Sequence, residues 1–180
     1  MFDGRPINVQ GFEIPYDGPL FLTILAIHIL AGLTCAIVGL VAMLAKKRIG
    51  IHSKSGSTYY WSLLVVFITA TVIAVARWGE DYHLFVLGFI SFTSAFVGRM
   101  SVRNKWQKWS IIHIIGMGLS YIFLLTAFYV DNGKFLPVWK SFNPIVYWLL
   151  PIAIGIPILV KTLLQHPLSK EHFKMTSKLF

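Results

Sequence analysis

Five stretches of the chain contain no Lys, Arg, Asp or Glu: 19–45, 58–76, 84–98, 109–130 and 144–160. Apolar runs of this length leave little choice of fold. A hydrocarbon layer of ~30 Å takes ~20 helical residues to cross, and a chain inside it has no water to satisfy open backbone groups. Each block therefore predicts one spanning helix, with spans near 19–45, 58–76, 83–99, 109–130 and 144–164. The third block is the shortest. At ~1.5 Å per residue it reaches only ~22 Å, so it spans only if Tyr82 and His83 lie in one headgroup layer and Arg99 snorkels into the other. Composition agrees, since 56% of the 180 residues are hydrophobic and only 13% are charged, too few to cover a soluble domain. The expected fold is an all-α integral membrane protein, a bundle of about five transmembrane helices. Its parts are an extracytoplasmic N-terminal segment (1–18), the helical domain (19–165) and a basic tail (166–180).

The first eighteen residues carry Asp3, Glu13 and Asp17 and lack a basic start before a short apolar core, so they do not read as a cleavable signal. The single cysteine, Cys35, lies in the middle of the first span, where it has no thiol partner within the chain. The net charge of +9 has a topological reading. Lys46, Lys47, Arg48 and Lys54 lie between spans one and two, and Arg99, Arg103, Lys105 and Lys108 between spans three and four. Lys161, Lys170, Lys174 and Lys178 follow span five, whereas the opposite side holds only Arg5, Arg77, Lys134 and Lys140. The positive-inside rule then predicts an outside N-terminus and a cytoplasmic C-terminus. Six of the seven carboxylates (Asp3, Glu13, Asp17, Glu80, Asp81 and Asp131) fall outside.

The basic patches suit anionic lipid headgroups at the cytoplasmic face, and nucleic acid is not an expected partner. In the tail, Ser169 after Pro167 can cap an interfacial helix with His172, Phe173, Thr176 and Phe180 on one face.

Within span one, Gly32 and Gly39 flank Cys35 and Ala36, and this line of small residues predicts close approach of another helix. His28 stands one turn before Gly32 on the same side, away from lipid tails. Span four repeats the arrangement, with His113, Gly116, Met117 and Ser120 on one face. The short match of Ile27-His28-Ile29 with Ile112-His113-Ile114 would be an inverted repeat if it were more than chance in an Ile- and Gly-rich chain. Span five carries Pro144, Pro151, Pro157 and Gly155, which predicts a bent or locally opened helix. Outside, Asp131-Asn132-Gly133-Lys134 supplies a turn, followed by an interfacial stretch with Phe135, Leu136, Val138 and Trp139. In the other external loop, Glu80, Asp81 and His83 beside Arg77 and Trp78 offer donors for a divalent metal ion, although exposed loop charges are more often simply solvated.

His28 with Gly32 and Gly39, the run Lys46-Lys47-Arg48-Ile49-Gly50 leading to His52, Gly56 and Tyr59, and His113 with Met117 together resemble the bacterial predicted membrane proteins called domain of unknown function 2306. The resemblance runs from span one to span four. It implies a multi-span protein of the bacterial inner membrane, supplies no activity, and singles out His28, His52 and His113.

Three functions compete. Inward histidines beside glycine suit a redox-type protein in which imidazoles bind haem b, contact a quinone or hold a metal ion. His28 and His113 lie ~10 Å apart along the membrane normal by their depths, too far to ligate one iron, so His52 is the better companion for His113. On this reading His52, His113 and Met117 line a polar pocket in the cytoplasmic leaflet, against the alternative, the more frequent one, that His113 hydrogen-bonds a carbonyl of a neighbouring helix with nothing bound. The second candidate is a small transporter or proton-conducting protein, although no spanning block holds a carboxylate for a relay. The third is a structural or assembly subunit, with a homo-oligomer or a larger membrane complex as its partner. Enzymatic processing of lipids has little support, because the sequence has no paired-carboxylate motif, no HExxH and no nucleophile elbow.

Overall fold

The structure, a computed structural model, describes residues 7–9, 12–14, 18–46, 50–137 and 139–166. The expected interfacial helix around His172 and the position of Val138 lie outside the described residues. Two short strands, β1 (Ile7–Val9) and β2 (Phe12–Ile14), pair antiparallel with Val9 opposite Phe12. Five helices follow: α1 (Pro19–Leu44), α2 (Ile51–Ala76), α3 (Trp78–Arg103), α4 (Trp109–Asn132) and α5 (Ile145–Gln165). All five are long and apolar enough to cross a membrane. The N-terminal hairpin is the one element that the charge-free blocks gave no reason to expect.

The helices outrun the apolar blocks at the start of the second span and at both ends of the third. α2 begins at Ile51, so His52, Lys54 and Gly56 belong to its first turns and not to a loop. α3 begins at Trp78, one residue after α2 ends, and continues to Arg103. The supposedly short third span is thus a helix of 26 residues. The physical reason is that freedom from charge marks hydrocarbon depth, while helical hydrogen bonding persists into the headgroup layers. Glu80 and Asp81 are well placed in the first turn of α3, where the exposed N–H groups and the helix dipole favour negative charge.

The chain divides into two compact units, Met1–Phe85 and Val86–Phe180. In the first, α1 and α2 form an antiparallel hairpin. The side-chain bonds joining them link residues 41, 24 and 10 positions apart, a steady decrease toward the connection. Phe21, Cys35, Gly39 and Ala42 form the buried seam of α1, while Leu30, Leu33, Ile37 and Leu44 are exposed. A helix apolar on its exposed faces as well as its buried seam is made for lipid. The polar side chains inside the spans are mostly satisfied within their own helix. Thr34, Thr58, Thr71, Thr126 and Thr162 each donate to the carbonyl four residues earlier.

In the second unit, α3 runs antiparallel to α4, and α4 antiparallel to α5. α3 and α4 meet backbone to backbone at Gly98 and Gly116. A Cβ placed on Gly116 would lie 2.6 Å from the Ser94 carbonyl oxygen and 2.8 Å from the Gly98 Cα. On the other side of α4, a Cβ on Gly118 would strike Leu159, and one on Gly155 would strike Ile122. α5 continues through Pro151 and Pro157, both inside the helix, and Pro151 is buried. The turn between α4 and α5 is made by Gly133 beneath the Tyr147 ring, whose hydroxyl donates to the Trp139 carbonyl at 2.9 Å. Tyr129 and Phe142 flank the Trp139 ring at 5.4 and 5.7 Å.

Candidate functional site

Of the four histidines inside the helices, His28, His52 and His113 share one chemical arrangement, while His83 lies near the start of α3. His52, in the first turn of α2, directs Nδ1 at the Ala42 carbonyl near the end of α1, at 2.8 Å. His113, in the second turn of α4, directs Nδ1 at the Gly98 carbonyl near the end of α3, at 3.0 Å. A carbonyl oxygen can only accept, so both rings carry the proton on Nδ1. His28 makes the corresponding contact with the Thr69 hydroxyl of α2 at 2.9 Å. That hydroxyl also faces the Val65 and Val66 carbonyls of its own helix at 2.8 and 3.1 Å, and with its single proton given to either of them it accepts from His28 Nδ1–H. In the neutral form of a ring with this donor, the lone pair sits on Nε2. This is the tautomer that a metal-ligating histidine adopts when its other nitrogen is held by the protein, and the one that accepts a proton.

The surroundings of the three differ. At His113 the glycine side is closed. Gly116 is packed on α3, the backbone nitrogen of Met117 would lie 3.1 Å from a Cβ on Gly98, and the buried Ser120 offers its carbonyl to Ser91 Oγ at 2.8 Å. The Gly98 carbonyl also receives Ser101 Oγ at 2.9 Å. Here glycine serves helix contact and leaves no slot for a flat group between α3 and α4. Gly32, one turn from His28, is the reverse case. A Cβ there would meet no atom within 4 Å, so the expectation that Gly32 packs against a neighbouring helix is not met. Gly39 is the buried glycine of that seam. Gly56, one turn beyond His52, is likewise open.

The acidic residues at the start of α3 are organised around a cation of the chain itself. Arg77 pairs with Glu80 and reaches Asp81 at 3.9 Å, while the His83 ring lies edge-on to Tyr82 at 5.7 Å. Among the described residues no three His, Cys, Asp or Glu side chains gather as a metal-binding group, so Glu80, Asp81 and His83 do not form a chelating cluster in this structure. The guanidinium beside the two carboxylates offsets part of their charge.

Sequence reasoning placed Ser120 on the His113 face but passed over Ser91 and Ser101, whose side chains fasten α3 to α4. Ser91, Ser101 and Ser120 are fully buried or nearly so, and Ser101 Oγ also donates to the Trp109 carbonyl at 3.2 Å. The signal was present as Gly88, Ser91, Ala95 and Gly98 at steps of three, four and three, a line of small residues as clear as that of α1. Comparison with protein-family models, with curated proteins and with solved structures returned no match.

Proposed function

We propose that the chain is a redox-type multi-pass protein of the bacterial inner membrane, with its N-terminus outside and its C-terminus in the cytoplasm, whose histidines engage haem b, a quinone or a metal ion. The observation that carries the reading is the shared tautomer of His28, His52 and His113, each with Nδ1–H engaged and the Nε2 lone pair directed elsewhere. An Nε2 lone pair suits an iron or metal centre and the hydroxyl of a quinol. It does not suit a quinone carbonyl, which requires a donor. Room for a flat group favours His28, where Gly32 is open, over His113, where Gly116 is filled by α3. The bound group would supply the electron-transfer chemistry; the chain supplies oriented imidazoles in an apolar setting. The outside N-terminus is supported by the twelve basic residues on one side against four on the other.

A purified sample tests this directly. The expected result is a Soret band, bound metal or extractable quinone in the wild type that falls in His28→Ala. Equal absorbance, metal and quinone content in both would end the reading. The assembly-subunit alternative draws on a specific observation too, since each of these histidines already fastens one helix to another. Co-purification with a larger complex and no chromophore in either component would favour it.

A further inference from the structure

The α1–α2 and α3–α4 hairpins are closed by the same pair of bonds at the same positions. In the first, His52 Nδ1–H donates to Ala42, seven residues after Cys35, and Cys35 Sγ contacts the carbonyl of Tyr59, seven residues after His52, at 3.7 Å. In the second, His113 Nδ1–H donates to Gly98, seven residues after Ser91, and Ser91 Oγ donates to the carbonyl of Ser120, seven residues after His113, at 2.8 Å. The bonded residues are 10 and 24 apart in the first hairpin and 15 and 29 apart in the second, so only the length of the connection differs. Burial follows the same register: Cys35 matches Ser91, Gly39 matches Ala95, Ala42 matches Gly98 and Tyr59 matches Ser120, every one buried.

From this correspondence we infer that α1–α2 and α3–α4 are two copies of one helix hairpin, in which His52 and His113 are equivalent imidazoles. With this alignment fixed by contacts alone, identical residues fall opposite one another: Gly32 and Gly88, Val41 and Val97, Tyr60 and Tyr121, Leu63 and Leu124, Leu64 and Leu125. The copies follow head to tail, and the position of His28 corresponds to Leu84, so the short match between His28 and His113 is not the repeat. α5 has no counterpart in the first copy. A hairpin whose first helix offers a small-residue seam and a carbonyl near its end, and whose second helix begins with a donor histidine, is a self-closing unit. The repeat stands on the contacts; its functional consequence, that His52 and His113 present equivalent Nε2 atoms, rests on the redox reading.

Asparagine can place an amide N–H where Nδ1 stands but offers nothing at Nε2, whereas leucine removes both. Full-length protein carrying His52→Asn, His113→Asn, His52→Leu or His113→Leu is melted in detergent, and its Soret absorbance, metal content and extractable quinone per chain are measured beside wild type. The leucine variants are expected to lower the melting temperature by amounts within about twofold of each other, because each removes one imidazole bond to a carbonyl of the preceding helix. Both asparagine variants should recover most of that loss while losing bound chromophore, metal or quinone to the same degree. Rescue at one position only, leucine effects differing by much more than twofold, or no leucine effect at either position would overturn the repeat. If leucine prevents folding at both positions, folded asparagine variants with near wild-type melting support it, and failure of one asparagine variant alone overturns it. A wild type without chromophore, metal or extractable quinone removes the redox reading and leaves the melting comparison standing, whereas undiminished ligand in both asparagine variants overturns the equivalence of the Nε2 atoms alone.

Discussion

Gly32 and Gly116 look alike in the sequence, each close behind an intramembrane histidine, and the structure gives them opposite surroundings. The difference lies in what faces each glycine. Gly116 meets the Ser94 carbonyl and the Gly98 backbone, which cannot move without shifting α3, whereas Gly32 meets nothing within 4 Å. Gly116→Ala is expected to destabilise by about 1–3 kcal/mol or more, since the methyl group must displace backbone. Gly32→Ala should alter stability by no more than about 1 kcal/mol, the scale of helix propensity. Thermal melting of the two variants side by side checks both, and a Gly32→Ala as damaging as Gly116→Ala would show that the open face is occupied. Periodicity could say that both glycines shared a face with a histidine; it could not say which face had a partner. A bond from His113 to a neighbouring helix carbonyl was foreseeable, but which carbonyls His113 and His52 engage was not, because a carbonyl acceptor has no signature in sequence. That these histidines avoid lipid was legible, from the cost of an imidazole among acyl chains.

At the scale of the element, the five helices were readable because a charge-free block in lipid has one solution, while their ends were not. His52 looked like a loop residue because Lys54 closes the apolar block, yet α2 begins before it. The determinant of that start is Gly50, whose φ of +133° is open to glycine and strained for other residues. Gly50→Ala is expected to weaken the α1–α2 hairpin by about 1 kcal/mol or more, and its effect should show in faster hydrogen exchange at the first turns of α2. Unchanged exchange there would mean that the His52 bond, and not the turn, sets the start of the helix. The α4–α5 contact is softer. A Cβ on Gly155 meets the Ile122 side chain, which can rotate away or be trimmed. Gly155→Ala should therefore be rescued in large part by Ile122→Ala, which removes the clashing Cγ1 and Cδ1, whereas no side-chain trimming on α3 should rescue Gly116→Ala; melting of the double variants separates the two kinds of contact.

For the whole molecule, the prediction with the widest reach is the sidedness of the five spans. The argument is electrostatic. Twelve of the sixteen Lys and Arg residues fall in the segments after the first, third and fifth spans, where anionic lipid gains about 1 kcal/mol from each near the surface. The connections that carry these charges are also the ends at which His52 and His113 close their hairpins, so sidedness would place both clasps at the cytoplasmic face. Lys54, in the first turn of α2, and Lys134, in the connection after α4, are exposed positions assigned to opposite faces. Cysteines introduced as Lys54→Cys and Lys134→Cys, each in a Cys35→Ser background, provide the probes. A membrane-impermeant thiol reagent added to intact cells should label position 134 and spare position 54, and inside-out vesicles should reverse the pattern. Labelling of both positions from one side would mean that one of the spans between them does not cross. Labelling of position 54 alone from outside would keep the five crossings but invert the chain, and the basic segments would then need an explanation other than lipid charge.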